Sequence, residues 1–262
     1  MKKLLRLYGA FFKMDVRRLQ MYRANLLASS FGYLIDSLAT IFTVWLIVRQ
    51  TGTIGGWNPA SILALSTYAL FLIVTWEFFF VNTLEIPTLI NNGQLDIFLT
   101  RPVGDLYQFI IFELDEESVF EMVFSLILFI IAVAYAHVQV TWWSVVLLIL
   151  GTVSAEMALE AIYLAICSTA FWFQSTTGLQ HIVYDILQLT RYPLTLYPNP
   201  IKGALTLLPF GLYGFYPLDV FLFHSTNWPE VIYVLVAGPA FLWLAYQFVW
   251  RRGLKHYTSS AG

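Results

Sequence analysis

The chain has 262 residues, 59% of them hydrophobic and only 11% charged, with a formal net charge of −2. Soluble domains carry roughly a quarter charged residues, so at a mean hydropathy of +0.71 a water-soluble globule is excluded. The apolar runs are continuous, which also excludes a β-barrel, whose strands alternate over segments of about ten residues.

The first 25 residues place Leu4, Leu5, Tyr8, Phe11, Phe12 and Leu19 at roughly helical spacing among Lys2, Lys3, Arg6, Lys13, Arg17 and Arg18. This pattern predicts an amphipathic helix on a membrane surface, or else a basic leader that only sets topology. It does not read as a signal peptide, because the apolar run that follows is too long for one and has Asp36 at its centre.

Runs long enough to cross a bilayer predict six spans: Leu26–Val48, Ile62–Val81, Val119–Ala136, Trp142–Phe171, Lys202–Leu222 and Val231–Trp250. The expected fold class is an all-α membrane protein forming a single domain over 1–262. With the N-terminus inside, every Lys and Arg except Arg49 falls on the cytoplasmic side, as the positive-inside rule requires. Both termini are then cytoplasmic, and the expected location is the cell (inner) membrane. Trp57, Trp142, Trp143 and Trp228 fall at the outer interface, Trp172 and Trp250 at the inner one.

Between spans 2 and 3, Asn91-Asn92-Gly93 is a helix-stop signal. Leu95, Phe98 and Leu99 then share one helical face, Asp96 suits a first turn, and Arg101 precedes the helix-ending Pro102. Residues 83–102 are therefore expected to form a helix–turn–helix on the cytoplasmic side, its apolar face needing the membrane or another protein. Glu113, Asp115, Glu116, Glu117 and Glu121 follow at the mouth of span 3, as a solvated face or an entrance that gathers cations. Glu77 and Glu85 flank the inner end of span 2.

Asp36 sits at the middle of span 1 and Glu156 at the middle of span 4, with Glu160 one turn nearer the cytosol on the same face. A charge at the centre of a bilayer helix costs at least about 2.5–3.5 kcal/mol. These acids are protonated within the bundle, pair with a second subunit, or line a path for a cationic substrate, which aromatic faces would also attract. Segment 174–201 is broken by Pro193 and Pro198. His181–Leu189, with Asp185 in it, reads as a cytoplasmic or interfacial helix, or as the start of span 5. Pro209, Gly211, Gly214 and Pro217 interrupt span 5, so Gly211–Trp228 is expected to form an outer re-entrant segment.

The residues Gly93, Leu95, Asp96, Leu99, Arg101 and Pro102 resemble the Gly-x-Leu-Asp-x-x-Leu-x-Arg-Pro signature of one branch of type-2 ATP-binding-cassette (ABC) exporter permeases. Phe171-Trp172, Arg191-Tyr192-Pro193-Leu194 and Tyr197-Pro198 resemble further segments of that family. The resemblance implies a permease subunit that exports by alternating access, with the 83–102 element as a coupling helix seated in a separate ATPase subunit. Glu85, Gly93, Leu95, Asp96, Phe98, Leu99, Arg101 and Pro102 would make that contact. It further implies a second permease of the same or related sequence, and a cargo among drug-like compounds, lipids and saccharides.

The chain has no G-x-x-x-x-G-K-[ST] phosphate loop, so it is not expected to be an enzyme, and ATP with Mg belongs to the partner ATPase. Cys167 is the only cysteine and the four histidines are scattered, which gives no metal site or cofactor on this chain. No nucleic-acid partner is expected. The alternative is a proton- or cation-coupled secondary transporter that uses Asp36 and Glu156.

Overall fold

A computed structural model describes residues 23–100, 104, 108, 115, 118–173, 175–224 and 227–258. The basic leader before residue 23, Arg101, Pro102 and the acids Glu113, Glu116 and Glu117 lie outside the described residues.

Among the described residues the chain is all-α. The helices are α1 (Arg23–Thr51), α2 (Pro59–Phe80), α3 (Ile86–Asn91), α4 (Asp96–Leu99), α5 (Ser118–Tyr135) and α6 (Trp142–Ser168). They continue with α7 (Thr177–Leu189), α8 (Asn199–Leu207), α9 (Phe215–Phe223), α10 (Trp228–Leu244) and α11 (Arg251–Leu254). Five helical stretches are long and apolar enough to cross a membrane: Ser30–Gln50, Pro59–Asn91, Ser118–Tyr135, Trp142–Phe171 and Trp228–Leu254.

Local chemistry sets the helix starts. Asn58 Oδ1 accepts from the Ser61 amide at 2.8 Å, with Pro59 in the first turn of α2. Thr141 and Ser144 form a reciprocal capping box at the start of α6.

The bundle has two ends, one at the Gly55 loop and one at Asn91. The core is built on α2, with Tyr68 against Phe129 of α5 at 5.1 Å and Trp76 stacked on Tyr163 of α6 at 4.3 Å. Helices α6 and α10 meet at small residues. Gly238 lies so close to the Ser154 carbonyl that no Cβ fits, and its amide donates to Ser154 Oγ at 3.2 Å. Gly151 likewise leaves room for Val234 and Pro217. By contrast α1 packs along one edge only and leaves Phe31, Ile35, Leu38 and Phe42 exposed.

The expected span Lys202–Leu222 is not one continuous helix. Helix α7 starts at the Asn91 end, where Gln180 Nε2 donates to Cys167 Sγ at 3.3 Å. It leads to the Gly55 end, where the Thr195 hydroxyl donates to the Gly55 carbonyl at 2.6 Å. Residues 199–223 then begin and end at that same end, since Phe223 packs on Trp57 at 5.1 Å. Between them the chain dips inward, where the Tyr213 hydroxyl donates to the Ala69 carbonyl at 2.9 Å, and turns at Gly214 with φ +98. So α8 and α9 form a hairpin that enters and leaves by one end, and α7 runs between the two ends. Arg191 and Lys202 consequently do not belong with the Asn91 end. The sequence misled here because α7 is short, about 20 Å at 1.5 Å per residue, and carries polar residues.

Candidate functional site

The connection after α2 begins with a 3-10 segment, Val81–Glu85, and continues into α3. Gly93, at φ +68, reverses the chain. The amides of Gln94 and Leu95 return to the Leu89 carbonyl at 2.9 and 3.2 Å, closing the stop predicted from Asn91-Asn92-Gly93. Helix α4 then lies across the end of the bundle.

Its apolar residues divide in two. Leu95 and Phe98 are buried with Ile86 against Ala161, Leu164 and Cys167 of α6 and against Trp250. Ile97 and Leu99 are 52% and 40% exposed. The expectation that Leu95, Phe98 and Leu99 form one outward face is therefore corrected. The i, i+3 pair faces the chain's own bundle, while Leu99, about 100° further round, stands out beside Ile97. Glu85 is exposed too, and Asp96 is half-buried.

The C-terminal segment closes on this element. Phe171 lies 5.6 Å from Trp250 and 6.2 Å from Tyr257, and its ring fills the space a side chain at Gly253 would need. Trp172 packs beside His256 at 5.5 Å. Burial raises the Tyr257 phenol above its usual range, and the Asp96 charge adds to the shift. Phe171 and Trp172 thus fasten the segment after α10 to the end of α6, against which α4 packs.

The Arg191-Tyr192-Pro193 segment lies elsewhere, near the Gly55 end. Ser66 Oγ donates to the Arg191 carbonyl at 3.1 Å, and the Tyr197 hydroxyl donates to the Leu189 carbonyl at 2.9 Å. Tyr192 is half-buried, and Pro193 and Pro198 each precede a short helix.

The three interior acids separate. Glu160 is 3% exposed, and its Oε1 accepts from the Thr83 hydroxyl at 2.9 Å. Glu156 is 6% exposed, and neither of its oxygens has a partner among the described residues. Asp36 is exposed on α1 and lines a different cavity, of about 80 Å³, with Glu77 of α2 and Arg191. Tyr33, Tyr184 and Gln188 also line it. Arg191, expected on the cytoplasmic side outside every span, lines this cavity, and so does Glu77, expected only to flank the inner end of span 2. The signal was there, since Leu70, Ile73 and Glu77 recur at helical spacing on the cavity side of α2.

A family model described as ABC-2 family transporter protein matches residues 34–261. No curated protein and no solved structure matches the chain.

Proposed function

Because the chain belongs to the ABC-2 transporter family, and is thereby the membrane permease component of an ABC transporter working with an ATPase, we propose that it is the permease subunit of an exporter. In this reading α7 is the fifth of six crossing helices in chain order, the α8–α9 hairpin is a re-entrant gate on the outer side, and residues 1–262 form one permease domain. Both termini and the Asn91 end face the cytoplasm, in the cell membrane, where Arg251, Arg252 and Lys255 follow the last span. The α3–α4 element is the coupling element. Two permeases, the same or related, form the path, and two separate ATPase subunits drive it by alternating access.

One observation carries this reading: a four-residue helix anchored by Leu95 and Phe98 that presents Ile97 and Leu99 outward. An exposed apolar pair on an element packed against α6 and against Trp250, after α10, can pass a push from a partner to the long helices behind it. With no phosphate loop in the chain, ATP and Mg bind the partner. The test is copurification from native membranes in mild detergent with ATP hydrolysis as readout. Wild type brings down an ATPase of ABC type, and Ile97→Glu/Leu99→Glu loses it while still eluting as a folded species. Equal capture by both proteins would refute the contact.

A further inference from the structure

Asp36, Glu77 and Arg191 reach one cavity from three separate elements. No ion pair joins them among the described residues. Their order along the bundle is set by the backbone. The Arg191 carbonyl is held at Ser66, and Glu77 lies about 16 Å further along α2 at 1.5 Å per residue. Arg191 therefore enters from the Gly55 end and Glu77 from the Asn91 end. The acidic end is reinforced, since Asp115 is within electrostatic reach of Glu77, and Glu121 of Tyr33. Asp36 is itself exposed, so the cavity opens beside α1, whose outer face carries the exposed Ile35 next to it in sequence.

A site with a guanidinium at one end and carboxylates at the other matches a ligand of two opposite charges. Arg offers a planar fork to phosphate or carboxylate oxygens. Carboxylates and the faces of Tyr33 and Tyr184 attract an ammonium group. The opening at Asp36 lies on α1, a helix apolar enough to cross a bilayer, so a ligand there would meet lipid.

We propose that this cavity binds the headgroup of a zwitterionic amphiphile, its ammonium toward Glu77 and Asp36, its phosphate or carboxylate on Arg191, and its alkyl chain leaving along α1. The inference rests on the reading of α1, α2 and α7 as bilayer helices of a permease, and deepens it by naming the cargo chemistry.

The test uses the full chain in nanodiscs of phosphatidylglycerol, which adds no competing zwitterion. Titrations compare hexylphosphocholine, hexyltrimethylammonium, hexyl phosphate and free phosphocholine. The zwitterionic amphiphile binds at least about tenfold more tightly than each of the other three, the size of one charged hydrogen bond. Arg191→Gln removes its advantage over the cation, and Glu77→Gln removes its advantage over hexyl phosphate. Equal binding of the three hexyl probes to wild type overturns the proposal without reference to any variant. Equal binding of free phosphocholine overturns the amphiphile assignment. Capture of the ATPase is a separate measurement, so failure of the permease reading is told apart from failure of this one.

Discussion

The ring of Phe171 lies against the bare Cα of Gly253, in space that a Cβ would occupy. This contact ties the end of α6 to the segment after α10, directly behind the helix that carries Ile97 and Leu99. Gly253→Ala forces the ring or the segment to move. Overpacking of this kind costs about 1–3 kcal/mol, so the thermal midpoint in detergent falls. Combining Gly253→Ala with Phe171→Leu recovers part of the loss. A double variant no better than the single one would show that the ring is not the obstacle.

Leu95 and Phe98 do different work from Ile97 and Leu99. Truncating a buried residue, as in Phe98→Ala, costs about 3–5 kcal/mol and is read as a lower melting temperature. Ile97→Ala and Leu99→Ala leave melting nearly unchanged and weaken ATPase capture. Reversal of the two patterns would mean that α4 presents its other face.

Gly238 is where the α6 and α10 backbones meet. Gly238→Leu separates the helices and unfolds or strongly destabilises the bundle, by about 2 kcal/mol or more. Gly178, with open space around it, accepts Ala with no loss. A thermal melt of the two variants side by side decides it.

The Tyr257 phenol is raised by burial and by Asp96 from a reference of 10.0. A group whose folded pKa is raised lends stability that is complete below its unfolded pKa and lost as pH rises through the folded one. Between pH 6 and 9 the Tyr257 contribution is therefore constant, and above about 10 it is lost. Tyr257→Phe abolishes that alkaline loss, as checked by limited proteolysis of the C-terminal segment across pH. A wild-type loss centred near neutrality would contradict the assignment.

The long helices were legible because a continuous apolar run is a local quantity. Predicted span Trp142–Phe171 and observed α6 start at the same residue, and Val119–Ala136 differs from α5 by one residue at each end. The path of residues 177–223 was not legible. Lys202–Leu222 is the longer apolar stretch, whereas α7 carries His181 and Asp185. Only contacts far apart in sequence, Thr195 to Gly55 and Gln180 to Cys167, fix which stretch joins the two ends. At the candidate sites, helical spacing put Glu156 and Glu160 together on α6 but gave no sign that Asp36 meets Glu77 and Arg191. The turn at Gly93 was readable from composition. Which residues of α4 face outward was not, since that depends on where α6 and Trp250 lie.

The most direct test of the central claim is cysteine crosslinking in a Cys167→Ser background, which leaves no native cysteine. A photoactivatable thiol reagent is placed at Ile97→Cys or, as a buried control, at Leu95→Cys. Ile97→Cys is expected to crosslink to a separate ATPase subunit, with a yield that changes when ATP is added, while Leu95→Cys gives none. Failure of Ile97→Cys to reach any ATPase, or equal yields at the two positions, would contradict the account of α4 as the element that couples this permease to its motor.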